Sequence, residues 1–393
     1  MKNLIYLFLI LVFFVCSCGK NDKKITDILG KKDSSVTKSD SIKQKDTTGK
    51  IKYTLKDFYS ENPLLAKKTD EIFNSLSDEE RAGQMIITMA GGLGKPDASV
   101  KELIKKKRIG GALILEGSKG ELANLIKTLS DYAKESKSLP LIFSADGEPT
   151  LINSKLKGSP KVPSASGIKS PQDSKNIASK ISEFLKSQGF NQNYAPVCDY
   201  SQNREIIGNR SYGNNKDSVI MLSAAFIRSS QDSGIVATIK HFPGHGTVKG
   251  DSHEKLVYTN GNPREIEVFR ELIKSSGVIS VMVGHIAIGG KSEYKTDTAA
   301  SLSRKIVTGL LKGELGFKGI VITDGLNMGA VSKLDEPAFR ASLAGCDLLL
   351  APLDENKLFN RIVEEMGKNK DYKLQVYESV RKIIRLKICL GLI

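Results

Sequence analysis

Three of the chain's four histidines, His241, His245 and His253, fall within fourteen positions. The segment that holds them begins at Lys240 and has the sequence KHFPGHGTVKGDSH. Imidazole is the side chain whose ordinary pKa, ~6.5, lets it exchange protons near neutral pH. Asp251 precedes His253 by two residues, so its carboxylate can orient the imidazole and stabilise its charged form. The segment therefore predicts a site of proton transfer rather than a surface loop that holds histidines by chance.

A metal centre is the alternative chemistry for this histidine cluster. His241 and His245 flank a Pro–Gly turn, and the cluster has no second carboxylate. This arrangement is not a typical spacing for the protein ligands of a metal ion. We therefore expect no metal ion at the cluster.

The elements that must position these residues follow a regular order, because short β-type segments alternate with longer helical patterns from residue 56 onward. Such alternation indicates a parallel sheet covered by helices. Eight β-type segments predict an α/β fold, a single (β/α)8 TIM-like barrel, with a doubly wound open sheet as the structural alternative. The predicted strands are Gly83–Ala90, Gly111–Glu116, Pro140–Asp146, Asn191–Val197, Val236–Phe242, Val278–Ile286, Gly319–Asp324 and Asp347–Ala351. The predicted helices are Ser99–Lys107, Gly120–Ser136, Asp173–Gln188, Asp217–Ser233, Pro263–Lys274, Ser303–Leu315, Glu336–Ala344 and Lys373–Leu390.

Polar residues that can do chemistry stand where several predicted strands end. In a (β/α)8 barrel the active site lies at the carboxyl ends of the strands. Asp324 ends one strand beside Gly325, which lets a ligand approach closely, so its carboxylate is suited to act as a nucleophile. The alternative is that Asp324 caps the next helix, and the pattern alone leaves both roles open. The other residues at strand ends are Asp146, Lys240, His241 and His285.

Two further segments offer groups that bind a polar substrate. Asp146 and Glu148 follow the third predicted strand, where carboxylates can hold sugar hydroxyls. Arg210 follows the fourth and can make paired hydrogen bonds to a substrate. A surface salt bridge is the alternative role for Arg210.

The first 18 residues have the pattern of a secretion leader. Leu4 to Val15 form an apolar stretch too short for a permanent membrane span, and Lys2 supplies the positive charge before it. Ser17 and Cys18 resemble the end of a bacterial lipobox, which implies cleavage before Cys18 and lipidation of that residue. We therefore expect a protein anchored by lipid to a membrane of the bacterial cell envelope, without a spanning helix. The alternative is an ordinary secretory signal.

The remaining composition indicates a tether followed by one domain. Residues 19–55 are rich in Lys, Asp, Ser and Thr and predict a disordered tether, with the barrel domain over 56–393. The net charge of +15 is spread along the chain, so we expect no nucleic-acid partner. Apart from Cys16 and Cys18, the cysteines stand far apart in apolar surroundings, which indicates buried thiols rather than disulfides.

Taken in combination, these motifs resemble glycoside hydrolase family 3 in its β-N-acetylglucosaminidase branch. The resemblance extends from about Asp78 to Leu350. It implies the barrel fold, no metal or organic cofactor, and hydrolysis that retains anomeric configuration through a covalent glycosyl-enzyme. The motifs that carry it are the segment from Lys240 to His253, Ala195–Val197, Ile207–Ser211, Ser301–Ser303, Leu315–Gly319 and Thr323–Asp324.

The resemblance also assigns roles to individual residues. Asp324 matches the nucleophile, and His253 with Asp251 matches an acid/base pair in which an imidazole replaces the usual second carboxylate. Asp146, Arg210, Lys240 and His241 match residues that bind the N-acetylglucosamine unit. The resemblance implies an exo-acting enzyme on cell-wall fragments or related glycans. We further expect a monomer and, because the chain ends early, no second α/β domain.

The segment after Asp146 departs from the family pattern. Two glycines of the pattern are replaced by Pro149 and Thr150, and Ser154 stands where an arginine is expected. The adjacent Lys155 can replace that arginine only as a point charge, because it lacks the planar fork. The departure motivates one alternative, a lipid-anchored sugar-binding protein without turnover. A glycoside phosphorylase is a second alternative, because an imidazole acid/base does not repel phosphate as an anionic carboxylate would.

Overall fold

Eight parallel strands form a closed ring in the computed structural model, which describes residues 52–393. The strands are β1 Ile86–Ala90, β2 Gly111–Ile114, β3 Ile142–Ala145, β4 Gln192–Asn193, β5 Val236–Phe242, β6 Ser280–Val283, β7 Ile320–Thr323 and β8 Leu349–Leu350. Their order around the ring is β7-β6-β5-β4-β3-β2-β1-β8, and β7 joins β8 through a bridge between Ile322 and Leu348. The predicted (β/α)8 barrel is therefore confirmed, and the open-sheet alternative is wrong.

Burial on both faces explains why the barrel strands are almost continuously apolar. One face fills the barrel interior and the other packs against the surrounding helices, as in other parallel sheets. All eight predicted strands are present, but most are shorter than predicted. Within the run Asn191–Val197 only Gln192–Asn193 is a regular strand, although Val197 also forms a parallel bridge with Lys240 of β5. Pro196 in the same run has no N–H to donate.

The helices form an outer layer around the strands. Each of the eight predicted helices is present within about three residues of its predicted ends. The helices of more than four residues are α1 Pro63–Ser75, α2 Asp78–Gln84, α3 Asp97–Lys105, α4 Lys119–Glu135, α5 Pro171–Gln188, α6 Lys216–Asp232, α7 Glu265–Ser275, α8 Lys305–Glu314, α9 Pro337–Ala344, α10 Glu355–Lys368 and α11 Lys370–Cys389, of which α8 has π-type hydrogen bonding. The sequence interpretation missed α1, α2, α10 and the one-turn helix Ile152–Lys155, and Gly83, predicted as the start of a strand, lies inside α2.

Two small parallel sheets lie beside the carboxyl ends of the barrel strands. Val257–Asn260 pairs with Ile286–Gly289, and Gly117–Ser118 pairs with Leu156–Lys157. The predicted strand Val278–Ile286 is therefore two separate strands, which Gly284 and His285 divide. The first small sheet matters for the site, because it holds the far end of the loop that leaves β5.

The packed part of the chain begins earlier than the boundary expected at residue 56. Tyr53 and Leu55 are buried, and the Arg385 guanidinium of α11 donates to the carbonyls of Asp57 and Phe58. The predicted leader, Cys18 and most of the predicted tether lie outside the described residues. In the described part, none of the helices has the length and apolarity needed to cross a membrane. Cys198, Cys346 and Cys389 are buried free thiols, as predicted.

Candidate active site

A cavity of about 540 Å³ opens at the carboxyl ends of the barrel strands. Its volume lies within the range of small-molecule binding sites. Asp251 lies behind His253 rather than on the cavity wall. The other six residues predicted for catalysis or sugar binding all line this cavity: Asp146, Arg210, Lys240, His241, His253 and Asp324.

Asp324 lies directly after β7, and its Oδ1 accepts a hydrogen bond from the Gly325 N–H at 2.8 Å. Burial raises the pKa of a carboxyl, but here the imidazoles of His241 and His285 act in the opposite direction. Together with the Gly325 N–H they hold the pKa of Asp324 below its ordinary value. The next helix begins only at Pro337, so Asp324 is not a helix cap. Its carboxylate is ionised and faces the cavity, as a nucleophile requires.

Asp251 and His253 form a hydrogen-bonded pair on the loop that leaves β5. Nδ1 of His253 lies 2.6 Å from Asp251 Oδ1, and the His253 backbone N–H donates to the same oxygen at 2.7 Å. Burial acts to raise the pKa of Asp251, but these contacts lower it overall. The carboxylate thus holds the proton of the imidazole on Nδ1 and leaves Nε2 as the reactive nitrogen. The His253 side chain is 58% exposed, so that nitrogen is accessible from the cavity.

A buried charge cluster forms another part of the cavity wall. Lys240 Nζ lies 2.8 Å from Asp146 Oδ1 and 2.6 Å from Glu148 Oε1. Arg210 donates to both oxygens of Glu148, at 2.7 and 2.9 Å. Burial raises carboxyl pKa values, but Lys240 and Lys155 hold that of Asp146 far below its usual range, and Arg210 and Lys240 lower that of Glu148 to about 2. The cluster therefore presents fixed ionic groups that suit sugar hydroxyls, and Arg210 is not a surface salt bridge.

Asp199, which the sequence interpretation did not single out, supports the histidines from behind. Its Oδ2 lies 2.7 Å from Nδ1 of His241 and accepts the His241 N–H, while its Oδ1 accepts the His245 N–H at 2.7 Å. Asp199 is fully buried. It follows β4, so extending the search for polar residues at strand ends to the fourth strand would have found it.

His285 is buried and acts through Gly325 rather than on the cavity. Its Nδ1 lies 2.7 Å from Ser301 Oγ, and its Nε2 lies 2.9 Å from the carbonyl oxygen of Gly325. These bonds fix the residue after Asp324. Among residues 52–393 the histidines and carboxylates form no cluster with the arrangement of a metal site.

Residues 77–386 match the family model described as "Glycosyl hydrolase family 3 N terminal domain". The chain belongs to glycoside hydrolase family 3. It is similar to a protein named beta-hexosaminidase from Tolumonas auensis, with 30% identity over 271 residues that cover 65% of this chain and 79% of that protein. A protein named beta-hexosaminidase A from Pseudoalteromonas piscicida is 29% identical over 326 residues, 73% of this chain and 54% of that one.

Two solved structures share the fold of this chain. A family 3 β-N-acetylglucosaminidase from Paenibacillus sp. FPU-7 has a TM-score of 0.74 and 30% identity, over 81% of this chain and 63% of that chain. This chain therefore spans less than two thirds of that protein and of the Pseudoalteromonas relative. The β-glucoside phosphorylase BglX shows the same fold, with a TM-score of 0.75 at 22% identity over 85% of this chain and 62% of that chain.

The segment that departs from the family pattern still supplies a cation to this family 3 site. Ser154 points away, since its Oγ donates to the carbonyl of Leu151 at 2.8 Å. Lys155 lines the cavity, and its Nζ lies 3.1 Å from Asp146 Oδ2. The Thr150 hydroxyl donates to the carbonyl of Asn209, which ties the altered segment to the loop of Arg210. Lys155, rather than Ser154, thus supplies the cation beside Asp146.

Proposed function

We propose that the protein is a retaining exo-β-N-acetylglucosaminidase that removes terminal β-linked N-acetylglucosamine from cell-wall fragments or related glycans. The observation that carries the proposal is that Asp324 and the Asp251–His253 pair open on one cavity. The names of the hexosaminidase relatives support the choice of sugar.

The first half of the reaction uses both groups at once. Asp324, as the carboxylate, attacks the anomeric carbon, and the bond to the leaving oxygen breaks. His253, in its imidazolium form, gives the Nε2 proton to that oxygen. Asp251 stabilises the imidazolium through Nδ1, so the proton is available without a second carboxylic acid. The products of this step are a glycosyl ester on Asp324 and the free alcohol.

The second half reverses the roles of the same groups. Neutral His253 takes a proton from water, and the water oxygen attacks the anomeric carbon as Asp324 leaves. Each step inverts the configuration at that carbon, so the two together retain it. Asp146, Arg210 and Lys240 hold the sugar, because ionised groups fixed in a buried cluster accept and donate strong hydrogen bonds. His241, whose Nδ1 is held by Asp199, adds a further polar contact from the cavity wall.

Hydrolysis of an aryl β-N-acetylglucosaminide by the purified chain, compared with an Asp324→Ala variant, tests this proposal. We expect release of phenol by the wild type and none by the variant. An aryl β-glucoside, which lacks the N-acetyl group, is the selectivity control and is expected to react poorly. Binding of N-acetylglucosamine by both proteins without turnover by either would show a sugar-binding protein. A product that is a sugar phosphate only when inorganic phosphate is present would show a phosphorylase.

We further propose that Cys18 carries the lipid anchor that keeps the enzyme in the cell envelope. The support is the sequence around Cys18 alone. Replacing Cys18 by Ser removes the thiol that the lipid would occupy. We expect the wild type in the membrane fraction and the Cys18→Ser variant in the soluble fraction, and retention of the variant on the membrane would contradict the proposal.

A further inference from the structure

The loop that carries Asp251 and His253 is attached to the rest of the protein at two points. Neither attachment uses a catalytic side chain. It spans residues 243–256, between the end of β5 and the small-sheet strand Val257–Asn260. Ser252, between the two catalytic residues, is only 1% exposed, whereas the side chain of His253 is 58% exposed. A buried residue between accessible neighbours indicates an anchor point of the loop.

The first attachment is a hydrogen bond between Ser252 and His245. Ser252 Oγ lies 2.9 Å from His245 Nε2. The tautomer follows from Asn203, whose Oδ1 accepts the Ile206 N–H, so that its amide nitrogen faces His245 Nδ1 at 3.1 Å. Nδ1 of His245 therefore accepts, and the Nε2–H donates to Ser252.

His245 is suited to a fixed role because it is buried and neutral. Its side chain is 1% exposed, and its backbone N–H is held by Asp199. Burial, followed by the nearby imidazole of His241, lowers the pKa of His245. It is thus a fixed donor rather than a proton shuttle.

The second attachment joins the loop to the segment that follows the nucleophile. The Gly329 N–H donates to the carbonyl oxygen of His253 at 2.8 Å. A Cβ added at Gly329 would lie 2.4 Å from the carbonyl oxygen of Glu254 and 2.7 Å from that of His253, which is closer than real Cβ contacts. Only a glycine permits this contact, so the sequence at 329 sets the spacing between the loop of His253 and the segment of Asp324.

We propose that His245, Ser252 and Gly329 are positioning residues that hold His253 over the leaving oxygen of the substrate. This inference rests on the proposed glycosidase function. Acid catalysis depends on distance, since the donor nitrogen must lie within hydrogen-bond reach of the oxygen that it protonates. Loosening the loop therefore impairs protonation of the leaving group and leaves Asp324 in place.

The leaving group of the substrate distinguishes this role from general support of the fold. A dinitrophenolate departs without a proton, whereas a phenolate needs one, so only the phenyl substrate reports the position of His253. The value of kcat/KM is the proper measure, because it covers the steps up to departure of the leaving group.

The test measures kcat/KM of the full chain for phenyl and 2,4-dinitrophenyl β-N-acetylglucosaminides. We expect Ser252→Ala to lose roughly 5- to 100-fold on the phenyl substrate, the usual effect of leaving a buried donor unpaired, and to change little on the dinitrophenyl substrate. Ser252→Thr keeps the hydroxyl and is expected to recover most of the loss. Gly329→Ala moves the same loop from the other side and is expected to show the same substrate dependence.

Gly120→Ala is the matched control, because a Cβ there meets no other atom within 4 Å. Equal losses on both substrates for Ser252→Ala and Gly329→Ala would overturn the proposal, since they would indicate general disruption. Unchanged rates on both substrates would overturn it as well. Failure of the wild type on both substrates would instead overturn the glycosidase function on which the inference rests.

Discussion

The burial of Glu265, the first residue of α7, predicts how the free energy of unfolding changes with pH. Its side chain is fully buried, and Oε1 accepts the backbone N–H groups of Tyr200 and Gly246, while Oε2 has no hydrogen-bond partner. Burial and, next, the negative charge of Asp199 raise the pKa of Glu265 to about 7. Gly246 belongs to the histidine segment, so this carboxyl supports the loop next to the site.

The raised pKa predicts that wild-type stability falls as the pH rises from about 4.5 to 7. Below this window Glu265 is protonated in both the folded and the unfolded chain. Within this window the unfolded chain releases the proton of Glu265 while the folded chain keeps it. Ionisation therefore stabilises the unfolded state relative to the folded state. The difference of about 2.5 pH units corresponds to about 3 kcal/mol of unfolding free energy, at 1.36 kcal/mol per unit.

Glu265→Gln removes the ionisation and keeps an oxygen that accepts both N–H groups. We expect the variant to match the wild type near pH 4.5 and to exceed it by about 3 kcal/mol at pH 8, measured by urea unfolding at both pH values. Glu267→Gln, on the exposed side of the same helix, is the control and is expected to show little pH dependence. A Glu265→Gln difference that is equal at both pH values would refute the reasoning.

Three further changes probe two residues of the cavity wall and the carboxylate behind its histidines. Arg210→Lys loses the paired contact with Glu148 and is expected to raise KM about tenfold in steady-state assays; an unchanged KM would show that the guanidinium fork is dispensable. Lys155→Ala leaves Lys240 as the remaining partner of Asp146 and is expected to raise KM a few-fold with kcat kept, and a loss confined to kcat would contradict this role. Asp199→Asn removes a buried carboxylate between two histidines and is expected to lower the melting temperature by several degrees, whereas an unchanged melting temperature would show that the contact contributes little.

The barrel could be predicted because each of its strands is recognisable from its own local sequence. Each is a short apolar run, buried on both faces, and the intervening helices have the longer periodicity of an amphipathic element. The same alternation of strands and helices also predicted where most of the site residues lie, because the carboxyl ends of parallel strands converge at one end of the barrel. Asp146, Lys240, His241 and Asp324 were found in this way.

Other parts of the site depend on contacts that a local pattern does not contain. Glu265 supports Gly246 from the start of a helix, and Gly329 meets His253 from a different loop. A glutamate at the start of a helix and a glycine in a loop are both common, so neither residue reveals its contact from the sequence alone. The contacts of Glu265 and Gly329 therefore needed the tertiary structure. Asp199, by contrast, lies two residues beyond the predicted strand Asn191–Val197 and could have been included among the polar residues at strand ends.

The central claim is that Asp324 carries the sugar in a covalent intermediate. A fluorinated N-acetylglucosaminyl substrate that forms this ester quickly and hydrolyses it slowly, followed by proteolysis and mass spectrometry, tests it directly. We predict one sugar unit on the peptide that contains Asp324, with a longer-lived adduct in a His253→Ala variant because water then lacks its base. Turnover of the substrate with no labelled peptide, or a label on another carboxylate, would contradict the account.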